Sequence, residues 1–164
     1  MAEPIRRPAL DGTSTLHIAM TQRVLIVDDN PDDIEILERF LAEMGVSILG
    51  VSDPSTAEDA FKQFEPDIVL LDLHMPVVDG LEILRRLRGE RSDVGFVPVV
   101  VLTGDQTKVA RNSALVLGAD DFLTKPLDRQ EVVLRVRNLL RTRQLYFQLA
   151  QANKALSREL NQPS

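Results

Sequence analysis

The sequence predicts an α/β fold, a five-stranded parallel sheet with helices on both faces and a long helical extension at its C-terminal end. Short continuous apolar runs, such as Val24-Leu25-Ile26-Val27, read as strands buried on both faces. They alternate with segments whose apolar residues recur at helical spacing. The connections are only a few residues long, so consecutive strands must run parallel through right-handed crossovers, and a three-layer sandwich results.

Taken in order, residues 1–21 form a polar start with Pro and Gly and read as a flexible leader. Arg6-Arg7 is followed by no continuous apolar stretch, so the leader is not a secretory signal. The first strand then leads to Asn30-Pro31-Asp32-Asp33, which offers a helix cap, a first-turn proline and two acids at the positive helix end. Asp32 and Asp33 are assigned to that first turn and not to a site. Ile34, Leu37, Phe40, Leu41 and Met44 continue the helix, and Gly45 stops it. The alternation repeats with strands at 47–51, 68–71, 97–102 and 121–124, and helices at 54–64, 80–88, 107–117 and from Asp128. The main domain is placed at 22–140 and the extension at 141–164.

Composition narrows the chemistry. The chain lacks cysteine, which excludes disulfides, thiolate catalysis and thiolate metal sites and leaves oxygen-ligand metals. Two histidines cannot build a zinc site alone. A formal net charge of −6 argues against broad nonspecific binding to nucleic acid. No apolar run approaches the roughly 20 residues a membrane span needs, and a cytoplasmic location is expected.

In sheets of this kind ligands sit outside the carboxyl ends of the strands. The first strand ends in Asp28-Asp29, the third in Asp72, the fourth in Thr103-Gly104 and the fifth in Lys125-Pro126. One aspartate after a strand is more often a turn former; the whole set is a far less ordinary coincidence. Three converging carboxylates repel unless a cation lies between them, and Mg2+ is the natural candidate. Lys125 and the Thr103 hydroxyl can hold phosphate oxygens. An aspartate is an ionised nucleophile that needs no base, and Asp72 is the central one. His74 lies beside the pocket and reads as a solvated loop side chain before a ligand or base. Phe122 is either core or part of a signalling face.

The strings Val24–Val27 with Asp28-Asp29-Asn30, Leu70-Leu71-Asp72-Leu73-His74-Met75-Pro76 with Asp79-Gly80, Val101-Leu102-Thr103-Gly104, and Gly118-Ala119-Asp120-Asp121-Phe122-Leu123-Thr124-Lys125-Pro126 resemble the response-regulator receiver family. The resemblance runs from about residue 23 to 140. It implies a flavodoxin-like strand order, 2-1-3-4-5, and a phosphoacceptor at Asp72 served by a histidine kinase or phosphotransfer protein. It also implies Mg2+ held directly by Asp29, Asp72 and the His74 backbone carbonyl, with Asp28 acting largely through water. Thr103, Gly104 and Lys125 would line the phosphate, the small Gly104 leaving the donor access. The Lys125-Pro126 bond is expected to be cis, an isomer that proline makes inexpensive. Thr103 and Phe122 would form the switch, reshaping the face made by the fourth helix, fifth strand and fifth helix. No external substrate is turned over in such a protein.

From Asp128 to Leu160 there is neither Gly nor Pro, so one long helix is expected. A heptad frame puts Leu139, Tyr146, Asn153 and Leu160 at one seam position and Thr142, Leu149 and Leu156 at the other. Asn153 in such a seam fixes register in a parallel pair, which points to a homodimer; a seam folded back on its own domain, or a linker, stays open. Arg135, Arg137, Arg141 and Arg143 are read as a solvated helical face, and no direct DNA binding is expected. Their surroundings resemble receivers that precede HD-GYP phosphodiesterase, diguanylate cyclase or histidine kinase modules, so a module cut from such a regulator is an alternative. A phosphohydrolase of the haloacid dehalogenase type would want a second aspartate where this chain has His74. A phosphate-independent docking domain would have no use for the acidic pocket.

Overall fold

Five parallel strands, β1 (Arg23–Val27), β2 (Ser47–Val51), β3 (Ile68–Asp72), β4 (Val99–Thr103) and β5 (Asp121–Thr124), lie in the order β2-β1-β3-β4-β5. Between and after them run α1 (Pro31–Leu41), α2 (Ala57–Phe64), α3 (Gly80–Gly89), α4 (Lys108–Val116) and α5 (Arg129–Leu160). This computed structural model describes residues 20–89, 95–104 and 108–163. The leader, apart from its last two residues, lies outside them, as does position 107 at the expected start of the fourth helix.

Side chains alternate across the sheet, and each strand feeds two cores. Leu25, Val27, Val69, Leu71, Val99 and Val101 pack on α2, α3 and α4 through Phe61, Leu84 and Ala114. Val24, Ile26, Ile68, Leu70, Val100 and Leu102 face α1 and α5 through Leu37, Leu41, Val132, Val136 and Leu140. This two-sided burial is why β3 and β4 are apolar without interruption, each large side chain contributing about 1.5–3 kcal/mol.

Local chemistry sets the ends of the elements. The Asn30 carboxamide accepts from the Asp32 amide at 3.0 Å and caps α1. Gly45 turns the chain at φ 68°, a left-handed geometry that costs glycine little. β4 begins two residues later than its apolar run because Pro98 has no N–H for a ladder; its carbonyl still accepts from the Val69 amide at 3.0 Å. Pro54 opens a short 3-10 turn, Pro54–Thr56, before α2. Asp128 caps α5 by accepting from the Glu131 amide at 2.9 Å.

The 32-residue α5 outruns the sheet it packs on. Its inward stripe, Val132, Val136 and Leu140, continues into Arg143, which is buried. The Arg143 guanidinium lies 3.0 Å from Asp67, whose other oxygen accepts from the Arg23 amide at 2.7 Å. The guanidinium also stacks 4.4 Å from the Phe147 ring, and Tyr146 meets Phe96 at 5.6 Å between ring centroids. The solvated face expected of the four arginines is therefore corrected at Arg143: it stands where the apolar floor of the sheet gives way to a buried acid. Residues 148–163 are all exposed. No helix among the described residues is long and apolar enough to cross a membrane.

Candidate functional site

Strand register brings the polar ends level. Val27 of β1 pairs with Leu71 of β3, Asp72 with Leu102 of β4, and Thr103 with Thr124 of β5. Asp28, Asp29, Asp72, Thr103 and Lys125 therefore emerge along one edge of the sheet. Carboxylate oxygens of Asp28, Asp29 and Asp72 lie within 4.8 Å of one another.

Two of these three carboxylates are held by hydrogen bonds or an ion pair. Asp28 is fully buried; one oxygen accepts from the Asn30 amide at 3.0 Å and the other from the Lys125 ammonium at 2.9 Å. Asp72 accepts from the His74 amide at 3.2 Å and lies 3.6 Å from the ammonium. Asp33, assigned from the sequence to a helix turn alone, sends its carboxylate to Lys125 at 2.8 Å and so belongs to the site; Asp32 remains in the first turn, on the exposed side. Lys125 is aimed by its backbone, whose amide donates to the Thr103 carbonyl at 2.8 Å, and its peptide bond to Pro126 is cis.

Around these groups, Thr103 is buried, and its Oγ1 lies 3.2 Å from Nε2 of His74, an exposed side chain. At Gly104 a side-chain carbon would meet nothing within 4 Å, so the space beside that glycine is open. At Gly80, by contrast, it would fall 2.4 Å from the Asp72 carbonyl oxygen and 2.5 Å from the Leu73 Cα. Only glycine lets α3 close on the loop behind the nucleophile candidate, and Asp79 caps that helix through the Leu81 amide at 3.0 Å. Phe122 is half-buried beneath Arg111, whose guanidinium carbon lies 4.5 Å from the ring.

Sequence reasoning also missed Arg88. Its guanidinium donates to the Gly118 and Val97 carbonyls at 2.9 and 2.7 Å and to the Asp120 carboxylate at 2.6 Å. Asp120 also accepts from the Val99 amide at 2.7 Å. The Gly118-Ala119-Asp120 string thus ties α3 to the entries of β4 and β5, and Gly118 at φ 100° was its one local signal. Of the seam residues, Leu139 packs from α5 against the core shared with α1, while Tyr146, Leu149, Asn153, Leu156 and Leu160 are exposed. The Thr142 hydroxyl donates to the Asn138 carbonyl at 2.9 Å within the helix.

Burial first, and the Asp28 charge second, push the Asp72 carboxyl up to about 6 against the pull of Lys125 and the His74 amide. Burial works to lower the Lys125 ammonium, but its bonds to Asp33 and Asp28 more than offset this and hold it above the ordinary lysine range. Asp28, Asp33 and Asp72 face one ammonium, and Asp29 lies beside Asp28 and Asp72. An all-oxygen donor set with excess negative charge fits a hard divalent cation such as Mg2+. A cation there must displace the Asp72 proton, so Mg2+ affinity is expected to be level above pH 7 and to fall as pH drops through 6, approaching tenfold per unit below it. Titration by calorimetry at a series of pH values checks this; an affinity unchanged between pH 7 and 5 would exclude Asp72 from the ligand set.

Sheet order and helical layers are those of the CheY-like flavodoxin fold. The sequence profile described as the response regulator receiver domain matches residues 24–137, and the chain belongs to that family, the phosphorylation-dependent receivers of two-component signalling. It is 41% identical over 119 residues to the transcriptional regulatory protein TrcR of Mycobacterium tuberculosis, covering 73% of this chain and 45% of that one. It is 39% identical over 129 residues to the transcriptional regulatory protein AruR of Pseudomonas aeruginosa, covering 76% and 51%. The chain thus spans about half the length of these curated relatives. Among solved structures, the BeF3-activated N-terminal receiver domain of Klebsiella pneumoniae RstA superposes with a TM-score of 0.66 at 27% identity, over 73% of this chain and 98% of that one. Receivers of this family take their phosphoryl group from histidine kinases or phosphotransfer proteins and generally bind Mg2+ at an acidic pocket.

Proposed function

We propose that Asp72 is the phosphoacceptor of this receiver and that its phosphorylation is passed on through the α4, β5 and α5 face and the helical extension. The observation that carries the reading is the meeting of Asp28, Asp29 and Asp72 beside Lys125 and Thr103 at the carboxyl edge of the sheet. The Asp72 carboxylate attacks phosphorus in line; its O–P bond forms as the P–N bond to the donor histidine breaks. Lys125 leaves Asp28 and Asp33 to pair with the new phosphoryl oxygens, and the Thr103 hydroxyl donates to another. Asp29, Asp72 and the His74 carbonyl, with Asp28 largely through water, would hold Mg2+, which would supply neutralising charge for those oxygens. Gly104 leaves the donor its path, and Phe122 follows Thr103 inward when Arg111 releases the ring.

The same reading divides the chain into a leader (1–21), a receiver (22–140) and an extension (141–164) whose exposed half pairs with a second copy. Leu149, Asn153, Leu156 and Leu160 are exposed at heptad spacing on a helix that continues past its last packing contact. An exposed apolar seam of this kind is best covered by an identical helix, with Asn153 setting its register. Intact mass and sedimentation, with Mg2+ and with or without acetyl phosphate, test both parts. One phosphoryl adduct per chain is expected, with the full chain sedimenting as a dimer and a chain ending at Gln148 as a monomer; that shorter chain keeps Arg143 and Phe147. No adduct would defeat the acceptor assignment, and equal sedimentation of the two chains would defeat the seam.

A further inference from the structure

We propose that the His74 imidazole is a resting-state catch on the Thr103 hydroxyl, opposing the threonine's move to the phosphoryl group and so setting how readily this receiver switches. The inference rests on the reading of Thr103 as a phosphate-binding residue, and His74 acts in it as a positioning residue through that threonine.

The mount of His74 is rigid. Leu73 and Met75, on either side, are buried, which turns the side chain between them outward to the rim of the pocket. The Leu73 amide donates to the Leu102 carbonyl at 3.0 Å, and the His74 amide donates to Asp72 at 3.2 Å. Behind them Gly80 packs directly on Asp72 and Leu73. The ring therefore spans from the end of β3 to the end of β4, where its Nε2 lies 3.2 Å from the Thr103 oxygen. Either imidazole tautomer can serve a hydroxyl, which both donates and accepts. A phosphoryl oxygen on Asp72 requires the proton and orientation of that same hydroxyl. With Nε2 accepting the hydroxyl proton the two bonds compete for it, and with Nε2–H donating the inward move of the hydroxyl breaks the contact; a ligand shifts such an equilibrium only by its differential affinity for the two states.

The test uses the full chain with Mg2+ and beryllofluoride as the phosphate probe, in a cycle of His74→Ala, Thr103→Val and the double variant. His74→Ala is expected to bind the probe about three- to tenfold more tightly, the size of one hydrogen bond. In the Thr103→Val background, where no hydroxyl exists to be caught, the same change is expected to do nothing. The chain has two histidines, His17 and His74, so nitrogen resonances of the His74 ring are readily assigned and are expected to shift on Thr103→Val and on adding the probe. Unchanged or weaker binding by His74→Ala, or an equal gain in the Thr103→Val background, overturns the catch while the phosphoacceptor reading stands. Wild-type protein that binds no beryllofluoride overturns both.

Discussion

Asp72→Asn is expected to take no label from acetyl phosphate and yet to unfold at a higher temperature than the wild type when Mg2+ is absent. The amide cannot attack phosphorus, but it matches the carboxylate in shape and keeps an oxygen to accept from the His74 amide. The gain in stability follows from the raised pKa. In the fold the Asp72 carboxyl titrates at about 6, against 3.8 for its ordinary value, so the native state binds its proton more tightly than the unfolded chain does. The wild type is therefore penalised above pH 6 and relieved as pH falls toward 4. Asparagine removes that penalty, by on the order of 1 kcal/mol once screening by Lys125 and water is allowed for. The advantage should shrink between pH 7 and pH 5. A variant no more stable than wild type at pH 7.5 would show that Lys125 already compensates the charge in full; undiminished labelling would move the acceptor to another residue.

Arg143→Ala is expected to cost about 2–4 kcal/mol, because it takes away the guanidinium that lies 3.0 Å from the buried Asp67 carboxylate. Asp67 would keep its bond from the Arg23 amide but lose the guanidinium, and Phe147 would lose the cation above it. A fall in the thermal midpoint of roughly 5 to 12 °C would report this. Replacing both partners, Arg143→Met with Asp67→Asn, should recover most of the loss. Labelling by acetyl phosphate should persist in each variant, since this pair sits at the amino end of β3 and the acceptor at its carboxyl end. A midpoint within a degree of wild type for Arg143→Ala would mean that water compensates Asp67, and that the pair does not fasten α5.

Much of the fold is legible because burial on both faces imposes a simple pattern. Apolar runs at β1, β3 and β4 needed no partner information, and the polar residues at their ends were readable as an edge set because parallel strands align their carboxyl ends. What escaped depended on facing directions and distant partners. Asp32 and Asp33 carry the same first-turn signal, but successive residues on a helix point about 100° apart, and only Asp33 turns toward Lys125. Arg143 continues the stripe of Val132, Val136 and Leu140, which by pattern alone argues for an apolar residue; its reason is Asp67, far away in sequence. The approach of His74 to Thr103 is of the same kind, a contact between the ends of two strands that no local periodicity encodes.

The fastening of α5 at Arg143 and Phe147 makes its exposed part a lever arm. Leu160 lies 13 residues beyond Phe147, about 20 Å at 1.5 Å per residue. A bend of about 5° in α5 at that fastening, with Val132 and Val136 held on the sheet, carries that tip through almost 2 Å. Displacements of about that size separate a well-seated helical seam from a poorly seated one. Under the proposed reading a large internal rearrangement would not be needed for the receiver to be felt at a distance, since the length of the helix would supply the gain.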